Sequence, residues 1–333
     1  MKKTAKRILS LVCVAIAAIM LLSSCSAVKI DRELEINISV LNGTTGFGAA
    51  KLISDTAKGE SELNYKFTVE SDAANITAGL INGSIDIAAL PTNAAATVYN
   101  KTEGKVKIAA VNTLGVLYLV VNSKNTEITS LSELEGKTVY CPAQNPAFLL
   151  EAICRANGLI PGENITIDTG YAQPADLRTA VASGQVDIAV LPEPMVTIAK
   201  AANSDLVTAL DLTDEWEKAY GENTLMQGCI VVRTEWAENH PKELEEFLAD
   251  YKASIEFTTA DPAEAAVCIT ESGVFAGKAP VAAKAIPNCN IVYIDGKEMA
   301  DALDVFFEKL YAVKPAAVGG KLPDGNIYYL GND

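Results

Sequence analysis

Residues 85–95 read IDIAALPTNAA and residues 186–196 read VDIAVLPEPMV. Each opens as a short apolar run, Ile87–Leu90 or Ile188–Leu191, of the kind that forms a fully buried strand, and each stops on a proline. The stretches lie 101 positions apart, and the match extends upstream, Gly83 with Gly184, Asp86 with Asp187 and Pro91 with Pro192. A strand ending written twice predicts two similar lobes. Proline ends a strand because it cannot donate to the ladder. In open parallel sheets, binding residues sit outside the carboxyl ends of the strands, where loops lead into helices. Thr92 and Asn93 in one copy and Glu193 in the other occupy that place. The competing reading is that Thr92 and Asn93 only cap the next helix.

Working outward, strands and helices alternate. EINISVL (35–41) is a β-branched, alternating first strand, and NGTTGFGAAKLI follows as a glycine-rich turn opening one helix through about residue 58. YKFTVE is a second strand, and VKIAAVNTLGVLYLVVN supplies two strands around a turn near Asn112–Gly115, which brings in Thr113. SLSELEGKTVYCPAQNPAFLLEAICRANGL restarts the pattern with a strand KTVYC, a polar turn and a helix ending at Gly158. From residue 234 the chain reads as mostly helical. Such alternation predicts parallel sheets with right-handed crossovers. The expected organisation is two doubly wound α/β lobes, the first from 35–120 and 229–333, the second from 121–228. Two strand segments, near 115–122 and 227–233, would cross between them as a hinge.

The turn at 42–51 fails both nucleotide fingerprints. Gly43 and Gly48 have phosphate-loop spacing, but Ala49-Ala50 stand where Lys-Ser/Thr should follow, and Gly46-Phe47-Gly48 lacks the third dinucleotide glycine. What remains is an unblocked helix start at Thr44, Thr45, Gly46 and Phe47, which favours an anion or polar acceptor. Its counterpart in the second lobe is CPAQNPAF, with Gln144 and Asn145 as polar tips and Tyr140 and Phe148 as a possible aromatic wall. No arginine falls in these loops, which argues against tight capture of a dianionic phosphate by guanidinium forks. Glu193, if it faces the cleft, favours a ligand with an N–H donor.

The 333 residues suggest about two domains, and the net charge of −15 argues against a nucleic-acid partner. MKKTAKR, then ILSLVCVAIAAIMLL, then LSSC at Cys25 reads as a secretory signal over 1–24, followed by a tether at 25–34. Removing 1–24 takes four Lys/Arg and no acid, so the charge becomes −19. No C-x-x-C pair occurs, which excludes a zinc ribbon, and a Cys268–Cys289 bridge competes with buried free thiols. The single histidine, His240 before Pro241, reads as a surface residue where a helix begins, so no multi-histidine metal site is expected.

Taken together, Leu22-Ser23-Ser24-Cys25, the Gly/Thr turn after the first strand, NGSIDIAALP, SLSELEGKTV and LRTAVASGQVDIAVLPEP resemble the substrate-binding lipoproteins of ABC importers. The group they are most similar to is the nitrate/sulfonate/taurine (NitT/TauT) or NMT1/THI5-like class. The resemblance implies a periplasmic-binding-protein type II fold and a monomer that is not an enzyme and carries no cofactor. It implies lipidation at Cys25, anchoring on the outer face of the bacterial cell membrane, and delivery of a small solute to ABC permease subunits. The solute would be sulfonate- or taurine-like, or pyrimidine- or thiamine-precursor-like. The alternative is an enzyme on the same scaffold using Glu193 as acid or base.

Overall fold

A computed structural model describes residues 29–331. The expected signal segment, Cys25 and the first residues of the tether lie outside the described residues. The strand expected at the start is β1 (Glu35–Leu41), which pairs in parallel with β2 (Asn64–Glu70) and β3 (Ile87–Pro91). Strands β4 (Val106–Thr113), β10 (Gly228–Arg233) and β11 (Ile291–Ile294) complete a six-stranded sheet of order β11-β4-β10-β3-β1-β2. Strands β5 (Leu117–Asn122), β6 (Thr138–Tyr140), β7 (Thr166–Asp168), β8 (Ile188–Pro192) and β9 (Leu206–Asp211) form a second sheet of order β7-β6-β8-β5-β9.

The sequence repeat is a repeat of position. β3 lies between a parallel neighbour, β1, and an antiparallel one, β10, and β8 lies likewise between β6 and β5. Gly228 stands opposite Pro91 in one sheet and Leu117 opposite Pro192 in the other. Gly83 and Gly184 end the preceding helices at φ +84° and +74°, a conformation in which glycine carries no Cβ penalty. Asp86 accepts from the Asn37 backbone N–H at 3.0 Å and from Arg233 at 3.2 Å, and Asp187 accepts from the Asn125 side chain at 2.8 Å. Each aspartate therefore fastens the start of its strand to a neighbouring segment.

The chain passes between the sheets twice, at Leu114–Val116 and between β9 and β10. Strand β5 thus belongs wholly to the second sheet, whereas the boundary expected at 120/121 falls inside it. Helix Gly296–Val313, expected with the first lobe, also packs on the second sheet's helix Asn145–Ala156, and its Phe306 ring lies 5.9 Å from that of Trp216. One buried cluster consequently runs from Ile108 and Tyr99 through Phe306 and Phe307 to Leu149 and Ile153. The short strands β9 and β11 and the helix Leu212–Tyr220 add to the expected elements.

The Cys268–Cys289 bridge is not formed. Cys141, Cys154, Cys229, Cys268 and Cys289 are free and buried, and the Cys289 thiol donates to the Ala285 carbonyl one turn back at 3.1 Å. His240 precedes helix Pro241–Ala260 as expected, half-buried against the Trp236 ring at 5.3 Å.

The two crossings press together at Gly115. A Cβ there would lie 2.2 Å from Thr213 Oγ1 and 2.6 Å from Leu225 Cδ2, so only glycine fits without displacement. Gly115→Ala is expected to destabilise the fold by about 1–3 kcal/mol, read as a lower urea midpoint at unchanged slope. An unchanged midpoint would mean that the crossings yield freely.

Candidate functional site

The helix after β3 is Thr92–Thr102, with Pro91 as its N-cap and no side-chain capping bond. Thr92 and Asn93 therefore sit inside the first turn and do not cap it. The Thr92 hydroxyl is buried beside the Cys229 thiol, while the Asn93 amide oxygen is buried with no hydrogen-bond partner. Such a group costs about 1–3 kcal/mol when it is shut away from any donor. In the second sheet, helix Asn145–Ala156 begins after Gln144, again with no side-chain cap, and the Asn145 amide oxygen is also buried and unpartnered. Gln144 holds φ +65°, a region favouring glycine, at a cost of order 1–3 kcal/mol for a residue with a side chain.

Asn93 and Gln144 line one cavity of about 630 Å³, together with Phe148. Two strand-to-helix turns from different sheets thus place neutral amides on the same space. Phe148 is half-buried there, and Lys314 Nζ lies 5.2 Å above its ring. The other aromatic side chain of that expected wall, Tyr140, instead meets Tyr171 edge-on at 6.0 Å.

The glycine turn is built differently from the expected single helix. A one-turn helix, Thr44–Phe47, is separated from Ala50–Lys58 by Gly48 and Ala49. Gly43 donates to the Val274 carbonyl at 2.8 Å and Gly46 donates to the Gly43 carbonyl at 2.9 Å. Phe47 is fully buried, its ring 6.0 Å from that of Phe275, and serves as core. Gly48 is there for close approach, since a Cβ would come 2.8 Å from Ile255 Cγ1. Lys51 is taken up by Asp55.

Two residues that the sequence reading passed over hold these turns in place. Buried Asn112 donates to the Thr45 carbonyl and to the Tyr251 hydroxyl, each at 2.9 Å, and accepts from Thr113 at 3.1 Å. Gln227 donates its N–H to the Thr113 carbonyl at 3.0 Å, accepts the Val116 N–H on its side-chain oxygen at 2.7 Å, and accepts the Thr92 N–H on its carbonyl at 3.1 Å. An uncharged amide inside an otherwise apolar strand, as in AAVNT, is the signal that points to such residues. Thr113 therefore supports the glycine turn through Asn112.

Glu193 departs from the expectation of a carboxylate free for a ligand. Its two oxygens accept from Thr197, the backbone N–H at 3.1 Å and the hydroxyl at 2.9 Å, so it caps helix Met195–Ala202. It lines a different cavity, of about 550 Å³, with Tyr118, Lys284 and Asn288, and this cavity shares no lining residue with that of Asn93. Burial raises the Glu193 carboxyl above its usual value, and the Thr197 bonds oppose this.

A carboxyl raised in the folded state binds its proton more tightly folded than unfolded. Its contribution to stability is fully present below the unfolded value and is lost as pH rises through the folded one. Glu193→Gln removes this titration. Across the window starting at the ordinary glutamate value and ending above the raised one, the native protein should lose urea stability relative to the variant. Parallel stability–pH curves would show that Glu193 titrates normally.

Residues 59–265 match the family model described as NMT1/THI5 like. No curated protein sequence matches the chain. Among solved structures, the chain is similar to an ABC transporter from Parabacteroides distasonis, at 25% identity and a TM-score of 0.74, over 90% of this chain and 99% of that one. It is similar to the periplasmic aliphatic sulphonate-binding protein SsuA from Escherichia coli at 18% identity and TM-score 0.72, over 90% and 92%. It also resembles the periplasmic nitrate-binding protein NrtA from Synechocystis PCC 6803 at 13% identity and TM-score 0.57, over 81% and 76%. These likenesses give the two-sheet architecture as the periplasmic-binding-protein type II fold. With the family match spanning more than half of its length, the chain belongs to the NMT1/THI5-like family.

Proposed function

We propose that the chain is the solute-binding protein of an ABC importer, closing two α/β lobes on a small polar solute and turning nothing over. The observation that carries this is the convergence of Asn93 and Gln144, from strand-to-helix turns on the two sheets, on one cavity of about 630 Å³. The buried, unpartnered amide oxygen of Asn93, which lines this cavity, supports it, because a bound donor would satisfy what the protein leaves open. The names of the structural relatives, a sulphonate- and a nitrate-binding protein, agree with a receptor role. The solute is a sulfonate- or taurine-like anion or a pyrimidine-like compound, held by neutral amides. The protein acts as a monomer, anchored by lipid at Cys25 on the outer face of the cell membrane, and hands its solute to permease subunits. The two bonds from Thr197 to Glu193, which fasten it to its own helix, weigh against the enzyme alternative.

A thermal-shift screen against sulfonates, nitrate, pyrimidines, thiamine and amino acids tests this reading. A solute at 100 times its dissociation constant adds about 2.7 kcal/mol, which moves the melting point by a few degrees. For the solute so found, Asn93→Ala and Gln144→Ala should each weaken binding by about 1–3 kcal/mol, roughly five- to 150-fold in Kd. Undiminished affinity in both variants would overturn the site, and consumption of the solute would overturn the receptor. Cys25→Ala should move the protein from the membrane to the soluble fraction.

A further inference from the structure

A third connection between the sheets runs beside the first crossing without being a crossing itself. Helix Ala279–Ala285 and the single turn Ile286–Asn288 lead into β11, the edge strand of the first sheet. Asn290 accepts the Leu114 N–H on its carbonyl at 3.0 Å and donates its side-chain amide to the Gly115 carbonyl at 2.5 Å. Two residues earlier, the Asn288 carbonyl accepts the Tyr118 hydroxyl at 2.8 Å. The segment thus grips the crossing itself, at Leu114 and Gly115, and also the second sheet beyond it, at Tyr118 on β5.

A hinge rotation treats these bonds differently. Turning the second sheet about Leu114–Val116 leaves the Asn290 bonds at the pivot. Tyr118 moves with β5, which β8 and β9 hold on either side, so its bond to Asn288 has to part. Parting is reversible. Asn288 is exposed, so its carbonyl takes up water, and a cavity of about 550 Å³ beside Tyr118 admits water to the hydroxyl. That cavity is walled from both sides, by Glu193 and Thr197 of the second lobe and by Val281 and Lys284 of the first. Burial, and after it the charges of Asp211 and Glu193, raises the Tyr118 phenol above its ordinary value, so the hydroxyl keeps its proton and stays a donor.

We propose that the Tyr118–Asn288 hydrogen bond is a latch on the hinge, made when the lobes close and broken when they open. Neither residue lines the cavity of Asn93 and Gln144, so the latch works without touching a solute held there. This rests on the receptor reading above and adds a source of affinity to it. The apparent affinity scales with the share of molecules in the closed form, and the latch raises that share.

Double electron–electron resonance on the purified chain reads the ratio of open to closed molecules. Spin labels go on Glu60→Cys and Glu163→Cys, exposed positions of the first and second lobes, while Cys141, Cys154, Cys229, Cys268 and Cys289 are buried. Tyr118→Phe removes only the hydroxyl and should raise the open share over the closed by about two- to tenfold. The same distance distribution in both proteins overturns the latch. So does a variant with a lower urea midpoint and unmoved distances, since Tyr118 would then serve the fold alone. If a compound of the thermal-shift screen binds while the distances ignore Tyr118→Phe, the receptor reading survives and the latch falls. If no compound binds and a single distance describes both proteins, both fall.

Discussion

Two matched backbone hydrogen bonds hold the architecture together. Val116 leaves the first crossing and its carbonyl accepts the Glu193 N–H at 2.9 Å, just past the proline that ends β8. Gln227 leaves the second crossing and its carbonyl accepts the Thr92 N–H at 3.1 Å, just past the proline that ends β3. Each sheet is thus completed by a strand arriving from the other, and each arriving strand is locked to the proline turn that ends its neighbour, β3 or β8. The Gln227 side chain then joins the two crossings through the Val116 N–H. Movement of one crossing is felt at once by the other and by both turns, because a buried amide pulled from its partner leaves an unsatisfied group costing about 1–3 kcal/mol.

The repeat is one of architecture and not of chemistry. After β3 the polar side chains are spared from capping, and the Asn93 amide faces a cavity. After β8 the equivalent Glu193 spends both oxygens on Thr197. The second sheet places the Gln144 amide on the same cavity instead, from the turn before helix Asn145–Ala156. The helix Gly296–Val313 adds a packed contact across the sheets, so the link between them includes apolar surface as well as the two crossings.

Most of the fold was legible because the two apolar strand endings and their glycines recur at a fixed distance, and that periodicity survives loss of every other detail. The short strand β11 was not, since its four residues are mostly half-exposed and pair irregularly with β4. Asn93 and Gln144, singled out by their position after strands, line one cavity. The role of Glu193 was not legible, because a carboxylate after a strand looks the same whether it meets a solute or its own helix. Phe47 read as part of an open helix start and proved to be core, for an aromatic residue in a glycine turn carries no mark of which way it faces. Asn112 and Gln227 escaped because most of their partners lie far along the chain, Thr45 and Tyr251 for the one and Thr92, Thr113 and Val116 for the other.

The buried cysteines have a consequence for how long the folded state lasts. Burial pushes the Cys154 and Cys229 thiols up to about 12 and moves Cys141 and Cys289 in the same direction, so the reactive thiolate is scarce even where solvent arrives. Oxidant or alkylating reagent reaches these sulfurs only when the body opens. The thiols therefore act as a clock inside the protein, and under excess reagent their rate of modification counts the openings of the body directly.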